Sequence, residues 1–274
     1  MSKVEDMVED IGRPIVVATH PRSGTHLTID LLRKQFEECK GWLWFWEPLS
    51  HLYLNLDRLD ENTKPGLTLE KAQNILQRAD RPIVKTHSTP SLDRFTDRHL
   101  EFAEALIRKA EIIYVIRDVR DVLCSAHIWR QEYDPSARCS FSRFIRQKEK
   151  NESRVKRWAS HVESWTSNSK VNVIRFEDIL SSPGKVVEKF SEILGENALR
   201  KKPYLPEKAK HRNKLNDYLK RIIEYPESTA ILGRYKNKEP KKWKKVSTKN
   251  DKKLLKKRAS KTLKKFGYSV NKKK

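Results

Sequence analysis

Residues 14–27 read Pro-Ile-Val-Val-Ala-Thr-His-Pro-Arg-Ser-Gly-Thr-His-Leu, and this stretch decides the fold of the chain. Its apolar, β-branched run at 15–19 predicts a buried strand, and a helical pattern covers about 25–39. The loop between them is short and contains small residues. The loop amides and the helix N-terminus point to one place, where the helix dipole favours negative charge. Strand, loop and helix together therefore predict an anion-binding site.

The side chains of this loop suit an anion as well. Arg22 supplies a delocalised cation, while Ser23 and Thr25 supply hydroxyl donors. Their spacing differs from the G-x-x-x-x-G-K-[ST] pattern of nucleoside triphosphatases, which argues against an ordinary ATPase or kinase. A plain turn between strand and helix is the simpler alternative, so the interpretation depends on the rest of the chain.

The length and composition limit the class of protein. At 274 residues the chain is long enough to bury the core of one domain. It contains no apolar run of 18 residues, and residues 1–12 are acidic and polar, so we expect neither a membrane span nor a signal peptide. Cys39, Cys124 and Cys139 have no metal-ligand spacing, and their odd number argues against a disulfide framework. The prediction is a reduced, cytoplasmic compartment.

The positive charge of the chain is concentrated at the C-terminus. The formal net charge is +23, and residues 234–274 contain 19 Lys and Arg against two acidic residues. Such a segment suits a polyanionic partner, whether nucleic acid, a sulfated or acidic glycan, or an anionic membrane. The alternative is a solvated basic helix face with a frayed end.

Strands and helices alternate along most of the chain. Besides 15–19, strands are predicted at 82–86, 111–116 and 171–176, and further helices at 97–109, 118–130, 153–169, 183–194 and 251–266. The alternation predicts an α/β fold, a three-layer sandwich with a central parallel sheet.

The expected organisation is a single domain over 1–274. Its core covers 14–195, where the alternation is regular. Residues 196–232 are polar, basic and punctuated by proline, which predicts a lid or connector. Residues 233–274 form a basic segment that ends in a helix, and we expect this helix to dock on the sheet.

Three polar motifs follow predicted strands directly. They lie at 20–25, 85–87 and 117–121. Ligands of open parallel sheets bind beyond the carboxyl ends of the strands, so the three motifs are predicted to share one site.

The loop Pro21-Arg-Ser-Gly-Thr25 resembles the phosphosulfate-binding loop of sulfotransferases that use 3′-phosphoadenosine-5′-phosphosulfate (PAPS). The family pattern is Pro-Lys/Arg-Ser-Gly-Thr, and it forms a P-loop-like phosphosulfate-binding loop. The resemblance implies that the cofactor contacts Arg22, Ser23, Gly24, Thr25, His26 and Leu27. Leu27 stands where the cytosolic branch has the tryptophan that stacks on adenine, so the base needs another platform.

A second resemblance covers residues 111–125, which are similar to the family's 3′-phosphate segment. Arg117 and Ser125 have the family spacing of eight residues. The fork-shaped guanidinium of Arg117 suits bidentate phosphate contact. The alternative is that Arg117 pairs with Asp118 or Asp121 and that Ser125 only packs.

The C-terminal region at 233–244 resembles the family segment that closes over the 3′-phosphate, with Arg234, Lys236 and Lys238 as candidate contacts. It lacks the family's glycines and the aspartate before Trp243. Residues 173–180 resemble the family's Tyr-Glu-Asp segment, with Phe176 at the tyrosine position.

Lys85-Thr-His87 resembles the Lys-Thr-His strand end of the family. The resemblance implies that Lys85 contacts the transferring sulfuryl group together with Arg22 and that His87 is the general base. A neutral imidazole suits that task. Glu47 is the alternative base, since other branches use a glutamate, and His26 is the third candidate.

The apolar stretch 42–46, with three tryptophans, has two interpretations. It lines an aromatic acceptor pocket near His51 and Tyr53, or it forms a packed edge of the core.

The resemblance implies in-line transfer of a sulfuryl group from PAPS to a hydroxyl or amine acceptor, with 3′-phosphoadenosine-5′-phosphate (PAP) as product and no metal. The acceptor is a small molecule or a glycan, and the basic tail favours an anionic one. Two alternatives are a P-loop-like nucleotide kinase and a non-enzymatic protein that binds nucleic acid or another polyanion through its basic segment.

Overall fold

The computed structural model of the protein describes residues 3–44, 46–59, 66–149, 151–205, 229 and 243–269. Five parallel strands form its central sheet: β1 (Ile15–Thr19), β2 (Leu54–Asn55), β3 (Ile83–Thr86), β4 (Glu111–Ile116) and β7 (Val171–Arg175). Their order across the sheet is β2-β3-β1-β4-β7. A small antiparallel pair, β5 (Lys148–Glu149) and β6 (Glu152–Ser153), lies apart from the sheet.

Helices alternate with these strands. They are α1 (Lys3–Glu9), α2 (Thr25–Gln35), α3 (Leu69–Leu76), α4 (Asp97–Lys109), α5 (Val119–Arg130), α6 (Phe141–Arg146), α7 (Arg154–Thr166), α8 (Phe176–Ser181), α9 (Pro183–Leu194), α10 (Trp243–Val246) and α11 (Lys249–Lys265). The predicted α/β fold with a central parallel sheet is confirmed. The prediction placed the end of α2 at Cys39, whereas the helix ends at Gln35 because Phe36 turns extended and buries its ring in the core.

The sheet separates two apolar cores. Along β1, Val16 and Ala18 face one core, and Ile15 and Val17 face the other, because successive side chains of a strand point to opposite faces. The first core also receives residues of α4, α5 and α7, and the second receives residues of α2 and α9. Helices therefore cover both faces, which gives the three predicted layers.

The terminal helix α11 packs mainly on α7 and α5 rather than directly on the sheet. Its apolar stripe is Leu255, Ala259 and Leu263, all of which are buried. α7 already covers that face of the sheet, so the stripe buries itself against a helix. A capping box of Thr248 and Asp251 begins α11.

Parts of the predicted organisation lie outside the described residues. The connector is described only over 196–205 and at Thr229, and the segment 233–242 is not described. The strand β2 was not predicted, because two residues are too short for a period of two to appear.

Candidate active site

The carboxyl ends of the three middle strands lie side by side. In the parallel register Ala18 pairs with Thr86 of β3, and Thr19 pairs with Val115 of β4. The next residues along the chain are therefore brought to one edge of the sheet. The three motifs predicted to share a site begin at this edge.

The anion loop turns tightly between β1 and α2. Ser23 donates its amide hydrogen to the His20 carbonyl at 3.2 Å, and Gly24 has a φ of +105°. A Cβ at Gly24 would lie 2.3 Å from the ring of Phe176. The position therefore requires glycine for two reasons, its left-handed backbone and its close approach to an aromatic ring.

Two loop hydroxyls differ in their partners. Thr25 Oγ1 lies 2.7 Å from Thr19 Oγ1, so this hydroxyl closes the loop against the strand. Ser23 is fully buried, and its Oγ has no hydrogen-bond partner among the described residues. A buried polar atom without a partner is uncommon and costs stability unless a ligand satisfies it.

Arg22 and Arg117 meet at the loop. Arg22 Nε donates to Ser125 Oγ at 3.1 Å, and Arg117 Nη1 donates to the Arg22 carbonyl at 3.0 Å. The Arg117 guanidinium lies 4.4 Å from the ring centre of Phe176. Burial lowers the pKa of Arg117, and the nearby carboxylate of Asp121 opposes that shift. Two guanidinium groups thus stand at one loop.

Asp118, the acidic residue that follows Arg117, forms its ion pair with a different arginine. The Asp118 carboxylate pairs with Arg120 at 2.5 Å and accepts the Arg120 amide at 2.9 Å. It acts as the N-cap of α5. Arg117 itself contacts the loop backbone.

His87 is held in one tautomer. Its Nδ1 lies 2.8 Å from the Thr19 carbonyl and 3.0 Å from Thr19 Oγ1. A carbonyl oxygen only accepts, so Nδ1 carries the hydrogen of the neutral ring and Nε2 keeps its lone pair. Burial and then the positive charge of Lys85 lower the pKa of His87 to about 4, against the opposing carboxylate of Asp57.

The backbone that carries His87 is held from one side by a carboxylate. Asp57 accepts hydrogen bonds from Thr86 Oγ1 at 3.0 Å, the His87 amide at 2.9 Å and Ser88 Oγ at 2.8 Å. Asp57 lies in the short 3₁₀ turn Leu56–Leu59 that follows β2. The edge strand of the sheet thus fixes the end of β3.

Two side chains of α7 hold the same backbone from the other side. His161 Nε2 donates to the His87 carbonyl at 3.1 Å, and Trp165 Nε1 donates to the Ser88 carbonyl at 2.9 Å. Because Nε2 of His161 is a donor, its Nδ1 accepts from the Tyr114 hydroxyl at 2.9 Å. Burial lowers the pKa of His161 to about 4, so this ring is neutral as well.

Lys85 and His20 complete the edge. In the sheet register Lys85 lies beside Val17 and Asn55, and its side chain is half-buried. Burial lowers the pKa of Lys85, while Asp57 opposes the shift. The His20 ring stands edge-on to that of His161 at 5.6 Å, and its pKa is lowered chiefly by burial.

The alternative base, Glu47, lies in a different region. Its carboxylate makes two hydrogen bonds with Arg78, at 2.6 and 2.7 Å, and one with His51 at 3.2 Å. The pairing with Arg78 is the main cause that lowers the pKa of Glu47 to about 2. Arg78 follows α3 and precedes β3, so this pair lies by the start of β3, whereas His87 follows its end.

The tryptophan segment belongs to the region of Glu47. Trp42, Trp44 and Trp46 are 51, 54 and 64% exposed, which contradicts the packed core edge. The Trp44 and Trp46 rings stack at 5.3 Å, and Arg78 lies 4.8 Å from the Trp42 ring. The acceptor pocket remains a prediction.

The other residues predicted to contact the cofactor are two at the start of α2 and three in the C-terminal segment. Leu27 is 2% exposed and packs in the core beneath α2, so its side chain has no surface to offer a nucleotide. His26 Nδ1 lies 3.1 Å from Thr229 Oγ1, and its ring stands edge-on to Tyr53. Arg234, Lys236 and Lys238 lie outside the described residues.

The sequence did not point to Asp57, His161 or Trp165. No local sequence feature indicates Asp57, because it lies 30 residues before the backbone amide that it accepts from. A sequence feature does indicate His161, because it lies on the same helical face as buried Trp158 and Trp165. A polar ring on an apolar face needs a partner.

In the part of the chain that the structure describes, no helix has the length and apolarity to cross a bilayer. The same residues contain no group of three His, Cys, Asp or Glu side chains arranged to hold a metal ion.

Comparisons with known proteins point to one family. A family profile described as a sulfotransferase domain matches residues 13–267. The mouse protein sulfotransferase 2A6 is 24% identical over 207 residues, which is 70% of this chain and 65% of that protein. The chain thus spans about two thirds of the length of this curated relative.

Two solved structures have a similar fold. Retinol dehydratase in complex with androsterone and inactive cofactor PAP is 18% identical, with a TM-score of 0.60 over 95% of this chain and 82% of that one. Mouse sulfotransferase SULT7A1 complexed with PAP is 13% identical, with a TM-score of 0.59 over 96% of this chain and 90% of that one. At these identities the likeness establishes the fold.

Proposed function

This chain belongs to the sulfotransferase domain family, and from that premise we propose that it transfers a sulfuryl group from PAPS to a hydroxyl or amine acceptor. The observation that carries the proposal is the juxtaposition of three parts at neighbouring strand ends. They are the anion loop at 20–25, Arg117 beside that loop, and His87 with its Nε2 lone pair.

The loop fits the phosphosulfate end of such a donor. The buried Ser23 hydroxyl is a donor that an anion would satisfy, and the amides at the start of α2 add further donors. Gly24 lets the backbone approach closely. Arg22 supplies a permanent positive charge for the sulfuryl oxygens and the 5′-phosphate.

Arg117 and Ser125 fit the 3′-phosphate. Both already contact Arg22, so the three groups stand at one place. The stacking of Arg117 on Phe176 holds the guanidinium flat while leaving its edge for an anion. Phe176, the departure from the family tyrosine, thus has a packing role for Gly24 and Arg117.

The reaction breaks one bond to sulfur and forms another. The donor supplies the sulfuryl group and leaves as PAP when the bond from sulfur to the bridging phosphate oxygen breaks. The acceptor oxygen or nitrogen forms the new bond to sulfur. Its proton moves to Nε2 of His87, and the ring is neutral before this step because its pKa is low.

Binding of the anionic donor would raise the pKa of His87 and so make it a stronger base. A negative charge close to His87 favours the imidazolium and raises its pKa towards the operating pH. Lys85 stands two residues before His87 on β3 and would balance charge on the sulfuryl oxygens. Asp57 is a positioning residue, since it holds the His87 amide and both neighbouring hydroxyls.

Glu47 is not assigned as the base. Its oxygens are engaged by Arg78 and His51, and a carboxylate with a pKa of about 2 is a weak proton acceptor. The acceptor class stays open between a small molecule and a glycan. Androsterone and retinol are the molecules found with retinol dehydratase, not with this chain.

The test is transfer of labelled sulfur from PAPS to a panel of phenols, alcohols, amines and glycans. We expect at least one labelled product, with PAP released in equal amount. A matched incubation with ATP labelled at the γ-phosphate tests the kinase alternative. Phosphoryl transfer without sulfuryl transfer would overturn the proposal.

A further inference from the structure

The strongest charged feature outside the active site is the surface of α10 and α11. Eleven exposed cations form it, and we call them the basic surface: Lys244, Lys245, Lys249, Lys252, Lys253, Lys256, Lys257, Arg258, Lys261, Lys264 and Lys265. Over 243–269 the only acidic residue is Asp251. Its carboxylate is buried and bonded to Arg146, Ser142 and the start of the helix.

The apolar stripe of the helix, rather than these cations, holds it in place, although Lys265 Nζ donates to the Thr166 carbonyl of α7 at 3.5 Å. Leu255, Ala259 and Leu263 bury its apolar stripe, and the capping box fixes its start. In the part of the chain that the structure describes, none of the eleven forms an ion pair with a carboxylate. Folding therefore does not require this density of charge.

The arrangement is costly for the helix. Lys249 and Lys253, Lys253 and Lys257, and Lys257 and Lys261 are spaced four residues apart, so like charges face each other along one side. Such pairs destabilise a helix by about 0.2–0.5 kcal/mol each. An anionic ligand would remove the repulsion, whereas solvent only screens it.

A polar groove continues the basic surface at the start of α11. Arg143 and Arg146 of α6 line it on one side, and Thr248 and Asn250 line it on the other. Serine hydroxyls and the amide of Gln147 complete the lining. Ser142 and Arg146 are already bonded to Asp251, and the Gln147 amide is bonded to Ser136 and Arg154. The groove therefore adds chiefly the charge of Arg143 and the amide of Asn250 to the basic surface.

We propose that the basic surface and this groove bind a linear sulfated polysaccharide. α11 is a rod of about 25 Å with cations along its outer face, which suits a chain of repeated sulfate groups. The Asn250 amide in the groove suits sugar hydroxyls. This binding does not depend on the proposed reaction, since the basic surface shares no residue with the loop or His87.

Other polyanions fit less well. Proteins that bind single-stranded nucleic acid add exposed aromatic rings on which bases stack. Of the aromatic residues in this stretch, Trp243 and Phe266 are half-buried and Tyr268 is buried. Arg120 covers the Trp243 ring at 4.5 Å. A helix that lies in a bilayer exposes an apolar face, whereas the apolar stripe of α11 is buried.

The test measures binding of the full chain to heparin, hyaluronate and duplex DNA over a series of salt concentrations. We expect heparin to bind most tightly, with an affinity that falls steeply with salt because counterions are released. Equal affinity for hyaluronate, which carries carboxylates but no sulfates, or tighter binding to DNA would overturn the proposal.

A matched pair of variants separates a site from general attraction. One variant replaces Lys253, Lys256, Lys257 and Lys261 with Gln, and the control replaces Lys71, Arg98, Lys185 and Lys201, which are exposed elsewhere. Both lose four charges. We expect at least a tenfold loss of heparin affinity in the first and about a twofold loss in the control. Equal losses of heparin affinity in the two variants would overturn the proposal. A third variant with Arg at 253, 256, 257 and 261 keeps the charge and should keep the heparin affinity.

Discussion

Two titratable groups that the sequence singled out as bases, His87 and Glu47, stand at different ends of the sheet. His87 follows the carboxyl end of β3, where one ring nitrogen is bonded and the other keeps its lone pair. Glu47 lies by the start of β3, where Arg78 and His51 occupy its oxygens. Both pKa values are lowered, but by different causes: burial at His87 and ion pairing at Glu47.

A general base needs a lone pair that is not already engaged, as well as a suitable residue type. Burial keeps His87 neutral, and in the proposed reaction an arriving anion would raise its pKa so that it could accept the proton. The ion pair leaves Glu47 charged, with its oxygens engaged by Arg78 and His51.

Replacing His87 with Ala should have the largest effect on turnover. General base catalysis contributes about 10²–10⁴ in rate, so we expect a loss in this range while PAP binds with nearly unchanged affinity. The control is Glu47→Gln, which should keep turnover within about twofold and lower the melting temperature because the pair with Arg78 weakens. A reversed outcome would make Glu47 the base.

Replacing Arg117 with Ala should weaken binding of PAP by about 10–100-fold. A hydrogen bond to a charged group contributes about 1.5–3 kcal/mol, and each 1.4 kcal/mol is a factor of ten. Adenosine 5′-monophosphate lacks the 3′-phosphate and should lose little affinity. Calorimetric titration of both ligands measures the difference. An equal loss for both would remove the assigned role of Arg117.

Replacing Asp57 with Asn should lower turnover by about tenfold, because an amide cannot accept all three hydrogen bonds at the end of β3. We expect PAP affinity within about twofold of the original, since the loop and Arg117 are unchanged. The matched control is Asp93→Asn, an exposed aspartate six residues after His87. Equal loss of turnover and of PAP affinity would indicate a general structural role.

Acidification should destabilise the fold before the carboxylates titrate. His87 and His161 have pKa values of about 4 in the folded protein, below the usual 6.5. The unfolded chain therefore binds more protons, and stability is highest above pH 6.5 and is lost as the pH falls towards 4. Thermal melts at several pH values measure this loss. His161→Gln should reduce the slope between pH 6.5 and 4, and an unchanged slope would contradict the account.

Local sequence patterns were sufficient to predict most of the long strands and helices. The long strands and the helices 97–109 and 183–194 lie where apolar periodicity and capping residues placed them. The sharing of one edge by the three motifs was predictable as well, because parallel strands bring their carboxyl ends together.

Long-range pairing was not predictable from local patterns. Asp57 belongs to a turn after a two-residue strand, and its role appears only when β2 pairs with β3. The ion pair of Glu47 with Arg78 is equally remote in sequence. Leu27 aligned with a ligand-stacking position, yet the rotation of α2 directs it into the core. Each case depends on packing that a single window of sequence does not contain.

The most direct test of the central claim is calorimetric titration of the protein with PAP, ATP and adenosine 5′-monophosphate at moderate salt. We expect tight one-to-one binding of PAP and much weaker binding of the other two, because Arg117 and Ser125 are proposed to recognise the 3′-phosphate. Equal affinity for PAP and ATP would contradict the assignment of the strand-end site to PAPS.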